Sequence, residues 1–234
     1  LTKNGFILPG YSFAGWNTAA DGSGTNYSDQ QSVSALTATN GGSVTLYAQW
    51  SANTYTITLD NQGADIASGT TSVQATYNEV LPSITTHQKT GYDFKGYFSV
   101  KDSTSNKDKY YNISGTPYSS KKYTLTDDIT IYATWEAKTF NINFNINYDG
   151  GVNPESITVT YDSYFDLPNP EREGYVFKGW NSDSSGGGSV WLVDGEQVKI
   201  TQGYTVYAIW VLPIAHNITL HLNGGLINES TEDV

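Results

Sequence analysis

Apolar and polar residues alternate with a period of two along much of the chain. The clearest run is KTFNINFNINYDGG, residues 138–151, in which Phe140, Ile142, Phe144 and Ile146 alternate with Asn141, Asn143, Asn145 and Asn147. Successive side chains of a β-strand point to opposite faces, so this pattern predicts a strand with one buried and one hydrated face. Asp149, Gly150 and Gly151 then supply residues suited to a turn. The same phrase recurs as NTYTITLDNQGA from residue 53 and AHNITLHLNGG from residue 215.

Other phrases recur in the same order. GYSFAGW starts at residue 10, GYDFKGY at 91 and GYVFKGW at 174; VTLYAQW ends at Trp50, ITIYATW at Trp135 and YTVYAIW at Trp210. Between them, SVQATY from 72 and SITVTY from 156 are further alternating runs, each with a Leu-Pro pair downstream. Fixed order with uneven spacing predicts tandem small domains with loops of variable length. Residues 1–50 are then the C-terminal part of an incomplete repeat. Residues 54–135 form a complete repeat with a long insertion at 99–128, and 139–210 a second complete repeat. Residues 215–234 carry the opening strand of a further one. The connectors SANT, EAKT and VLPIAHN are short and not Gly/Ser-rich, which predicts restrained neighbours in an elongated array.

Strand parity assigns the core. Val44, Leu46, Ala48 and Trp50 share one face of the closing strand, as do Ile129, Ile131, Ala133 and Trp135, and Tyr204, Val206, Ala208 and Trp210. The recurring alanine marks a tight spot, read as a place where another layer presses on the strand. In the middle phrase Tyr11 and Phe13 share a face but Trp16 has the wrong parity. Gly15, Gly96 and Gly179 stand where a β-bulge would turn the next ring inward. Helical patterning is scarce, with SVSALTA from residue 32 the one candidate. The five lysines of the insertion, Lys101, Lys107, Lys109, Lys121 and Lys122, read as a mobile polar loop.

Composition narrows the chemistry. The chain has no cysteine, which removes disulfides, thiol catalysis and thiolate metal sites together. Its net charge of −11 argues against nucleic acid and anionic membrane surfaces as partners. No apolar run approaches the roughly 20 residues that cross a bilayer, so no membrane insertion is expected in this segment. A chain that opens on leucine without a leader reads as a segment of a longer, exported protein. His87, His216 and His221 are too scattered for a metal cluster, and neither a G-x-S-x-G elbow nor an H-E-x-x-H helix is present. DGSGTN at 21–26 lacks the spaced oxygen ligands of a calcium loop. Neither enzyme activity nor a cofactor is expected. Lys95 and Lys178 sit at one repeated position on the outward face and read as solvated rather than crosslinked. Asn26, Asn112, Asn217 and Asn228 open N-x-S/T sequons. One candidate interaction surface emerges. Tyr47, Tyr132 and Tyr207 occupy the outward face of the closing strand in every unit, available to a glycan or a neighbouring subunit or simply satisfying cross-strand packing.

On LNGG, GYSFAGW, GYVFKGW, LYAQW and VYAIW the chain resembles the Listeria–Bacteroides, or internalin B-type, repeat over essentially its whole length. The second unit departs from that pattern, with Tyr97 in place of tryptophan and DNQGA at the turn. The resemblance implies a mainly β chain of small β-grasp-like domains arrayed on an extracellular bacterial surface protein. It implies a stalk, spacer or adhesin role and no catalytic residues. Partners would be a host or cell-wall glycan or protein. The chain itself is a further candidate partner, because residues 215–234 carry an opening strand and residues 1–50 lack one. In that case the molecules would join head to tail into a filament.

Overall fold

The computed structural model describes residues 1–34, 36–65 and 69–214. The chain divides into two compact units, Leu1–Lys138 and Thr139–Val234. The first holds two sheets. One is three-stranded: β1 (Tyr11–Asn17), β2 (Asn26–Tyr27) and β3 (Tyr47–Ala52), in the order β2-β1-β3 and antiparallel throughout. The other contains β4 (Thr54–Asp60), β5 (Ser72–Thr76), β6 (Tyr92–Phe98), β7 (Lys109–Tyr111) and β8 (Ile129–Ala137), in the order β5-β4-β8-β6-β7.

The second compact unit repeats that sheet with β9 (Thr139–Asn145), β10 (Ile157–Thr160), β11 (Val176–Asn181), β12 (Trp191–Leu192) and β13 (Tyr204–Val211), in the order β10-β9-β13-β11-β12. In both five-stranded sheets the opening and closing strands lie side by side at the centre. They run parallel, β4 with β8 and β9 with β13, while every other pairing is antiparallel. This is a β-grasp-like mixed sheet.

Alternation lands as the strand pattern requires. Ile142, Phe144 and Ile146 are buried and Phe140 half-buried; Ile131 and Ala133 match Val206 and Ala208 in the core. Each middle strand carries the expected bulge. Its register shifts between Phe13 and Gly15, Phe94 and Gly96, and Phe177 and Gly179, at glycine φ values of +140°, +129° and +129°. Such a bulge reverses parity for the residue that follows. Tyr97 and Trp180 are thereby wholly buried. Directly across from Trp16, Tyr97 and Trp180 stand Ala48, Ala133 and Ala208. Each recurring alanine thus leaves room beside the ring on the adjacent strand. The phenylalanine of each middle phrase joins two rings. Phe177 lies 5.4 Å from both Trp180 and Trp210, and Phe13 and Phe94 repeat the arrangement with Trp16 and Trp50 and with Tyr97 and Trp135.

Two expectations are corrected. The described residues of 32–38 form no helix, and Leu36 is exposed; a lone apolar turn has no face to bury. Residues 99–128 are not a mobile polar loop. They supply β7, the fourth strand of the sheet, and bury Tyr110, Tyr111 and Tyr123. Two of their five lysines lean on aromatic rings, Lys121 over Tyr110 at 4.3 Å and Lys109 over Phe98 at 5.4 Å.

The two sheets of the first compact unit are joined by a short clamp. Asn53 N–H donates to the Gly10 carbonyl and Tyr77 N–H to the Asn53 carbonyl, both at 2.9 Å. Tyr77 packs edge-on to Tyr11, with centroids 5.3 Å apart. Its ring fills the space a Cβ on Gly10 would need, and Gly10 has a φ of +79°. Only glycine satisfies both conditions.

Candidate interaction surfaces

The three tyrosines hold one position in three separate sheets. Tyr47 is exposed, while Tyr132 and Tyr207 are half-buried. Tyr47 pairs across the sheet with Asn17, Tyr132 with Phe98 and Asp60, and Tyr207 with Asn181 and Asn145. Closing-strand geometry therefore gives each ring cross-strand neighbours as well as a solvent-facing side.

Beside two of them lies a loop that sequence reasoning missed. Asn17 and Asn181, each directly after a bulge-turned tryptophan, are fully buried. Asn181 Nδ2 donates to the Gly188 carbonyl at 3.1 Å, and its Oδ1 accepts from the N–H groups of Asp183 and Gly188. Asn17 repeats the pattern with Ala19, Gly22 and Gly24. One buried amide satisfies several loop backbone groups and so fixes the loop. The loop tips are finished alike: Ser23 and Ser185 donate to Asp21 and Asp183, and hold both carboxyls below their ordinary range. DGSGTN is accordingly a self-capped turn. The signal was present in the sequence, since WN recurs. In the second unit Phe98 replaces this asparagine and the loop is different.

The turn after each opening strand is pinned from two sides. Trp135 Nε1 donates to the Asn61 carbonyl at 2.9 Å, and Trp210 Nε1 to the Ile146 carbonyl at 2.8 Å. In the two five-stranded sheets a cation stands two residues before the Gly-Tyr pair of the middle phrase. Lys89 donates to the Gln62 carbonyl, and the Arg172 guanidinium stacks on Tyr175 and Tyr148 at 3.8 and 4.5 Å. Asn147, expected to point to water, instead donates to the carbonyls of Ser184 and Ala208 and adopts a φ of +62°. Asparagine tolerates that backbone.

The remaining candidates resolve locally. His87 is buried against Gly69, with Nε2 3.3 Å from the Thr70 carbonyl; His216 and His221 lie outside the described residues. Lys95 forms an ion pair with Glu136 at the surface, which holds its ammonium above the usual range, and Lys178 is exposed. Asn26 accepts from Asn17, and Asn112 caps Ser114; Asn217 and Asn228 fall outside the described residues. Among the described residues no three His, Cys, Asp or Glu side chains gather as metal ligands. The proposed head-to-tail strand, 215–234, also lies outside them. In its expected acceptor, residues 1–50, β3 ends its sheet where β8 and β13 each pair with an opening strand.

One tryptophan belongs to none of the repeated phrases. Trp191, in β12, is 45% exposed. With Leu192 and Val193 it walls two clefts of about 270 and 300 Å³. Period-two reading passed over it because β12 has only two residues.

The profile of the Listeria–Bacteroides repeat domain matches residues 2–49, 55–134 and 140–209, one match to each sheet. A protein of Evansella cellulosilytica named as a Gly-rich membrane protein is 33% identical over 92% of this chain and 24% of its own length. Internalin H of Listeria monocytogenes is 29% identical over 75% of this chain and 28% of its own length. The chain thus spans about a quarter of the length of the relatives it matches. With three matches in step with three sheets, the chain belongs to the Listeria–Bacteroides repeat family.

Proposed function

We propose that this chain is a tension-bearing spacer in a bacterial cell-surface protein, with no catalytic role. The parallel pairing of opening and closing strands carries this reading. Tension along the chain enters a complete unit at β4 and leaves at β8, or enters at β9 and leaves at β13. Those strands are adjacent and parallel. Pulling their opposite ends slides one strand past the other, so the ladder hydrogen bonds are loaded together rather than in turn. An antiparallel hairpin pulled from its open end would unzip one bond at a time. The names of the relatives, a membrane protein and an internalin, support a surface location.

In the intact parent protein, residues 54–210 should be replaced by a Gly/Ser segment of equal length. Cell attachment should then fall under shear flow and stay unchanged in static conditions; equal attachment in both would contradict the spacer reading. The variant Tyr47→Ser, Tyr132→Ser, Tyr207→Ser belongs in the same assay. A spacer leaves its static attachment intact, whereas loss with the fold preserved would assign the tyrosine face to adhesion.

A further inference from the structure

Five of the six tryptophans stand in the repeated phrases; Trp191 does not. It pairs with Asn181 on β11. The same place in the first unit is held by Asn26, opposite Asn17, and in the second by Lys109, opposite Phe98. The fold is therefore satisfied by a polar residue there. A large apolar side chain left in water forgoes burial worth about 1.5–3 kcal/mol, so an exposed indole at a position that does not need one points to a contact.

We propose that Trp191 is the aromatic platform of a glycan-binding site on the edge of the third sheet, taking a neutral, β-linked, gluco-configured chain. Three observations converge. The indole lies beside Gly179, where a Cβ would sit 3.6 Å from its six-membered ring, so the bulge backbone supports it while much of it stays open to solvent. Clefts of about 270 and 300 Å³ share β12 as a wall, near the lower size of small-ligand sites. Both mix aromatic and polar lining. Phe165, Glu196 and Gln197 line one, and Asn169, Lys178 and Asp194 the other.

A pyranose has that dual character, with C–H groups on its faces and hydroxyls around its rim. In the β-linked gluco configuration the substituents are equatorial, which leaves flat faces to lie on an indole and makes a ribbon able to follow a strand edge. Hydroxyls then reach the carboxylates and amides of the rim. Asp194 is already oriented, since its Oδ1 accepts from Leu167 N–H at 2.8 Å. Each cleft is lined by one carboxylate and one ammonium, Glu196 with Lys199 and Asp194 with Lys178, so the lining carries no net charge and suits a neutral sugar. An apolar peptide would desolvate these charged groups. This site is independent of the spacer reading and of the closing-strand tyrosines.

The test is titration of the ¹⁵N-labelled chain with cellotetraose and, separately, with chitotetraose. The Trp191 indole N–H resonance should shift saturably with at least one of them, and which one identifies the preferred substituent at the sugar 2-position. Trp191→Asn, which places there the residue the first unit carries, should keep its melting temperature and lose at least about tenfold in affinity. Glu196→Gln should weaken binding by less. Failure of both sugars to move Trp191 would overturn the proposal, as would undiminished binding by the folded Trp191→Asn chain.

Discussion

At the level of single residues, the aromatic rings come in sets. A phenylalanine bridges the bulge-turned ring and the closing-strand tryptophan in each of the three sheets. In the second unit the set is extended by tyrosines whose hydroxyls pay a cost. The Tyr97 and Tyr111 hydroxyls are buried without a hydrogen-bond partner, and burial pushes both groups up to about 12. An unfolded tyrosine titrates near 10. Above about pH 10 the unfolded chain therefore sheds phenolic protons that the folded unit keeps. The stability from this difference is intact below pH 10 and lost as pH climbs towards 12. Urea midpoints should fall across that window, and Tyr97→Phe should flatten the fall while keeping the ring. A midpoint insensitive to pH over the same range would contradict the burial of these hydroxyls. Rings and glycines were legible in the sequence because they repeat. Asn17 and Asn181 left only the recurring Trp-Asn pair as a signal, since a polar residue after a strand reads as hydrated and only the fold shows what lies over it. Trp191 was missed because β12, at two residues, is too short for an alternation to show and the other units carry no tryptophan there.

Strands and turns show where sequence pattern stops being informative. Period two places a side chain on a face but says nothing about strand direction or partner. The parallel pairing of β4 with β8 and of β9 with β13 joins segments far apart in sequence, and alternation alone cannot reveal it. β7 was hidden because it is three residues long inside a lysine-rich stretch. The bulges, by contrast, were legible from a glycine before an aromatic of wrong parity. They also separate two otherwise equivalent positions. At Gly96 a Cβ would collide with the Tyr111 carbonyl oxygen, whereas at Gly179 it would meet only the Trp191 ring at an ordinary distance. Both have a φ of +129°, which a side chain tolerates poorly. Gly179→Ala should cost roughly 1–2 kcal/mol from backbone strain. Gly96→Ala should cost about 1–3 kcal/mol more from the added clash with a backbone atom. Denaturant unfolding of the two variants checks the order. Equal costs would mean that the close approach of β7 to the Gly96 bulge is absent in solution.

As a whole molecule, the chain repeats one mixed sheet with different trimmings. The third unit keeps the asparagine-centred loop, the second exchanges it for a buried tyrosine cluster, and both preserve the central parallel pair. What is invariant between them is the path that tension would take. The most direct measurement is single-molecule extension of the chain held by its two ends. Two discrete high-force ruptures are expected, one for each five-stranded sheet, each releasing a contour length that matches its residues. When the second unit is instead held across the hairpin of β6 and β7, rupture should need much less force. Smooth end-to-end extension without force peaks, or equal rupture forces in the two geometries, would contradict a tension-bearing role.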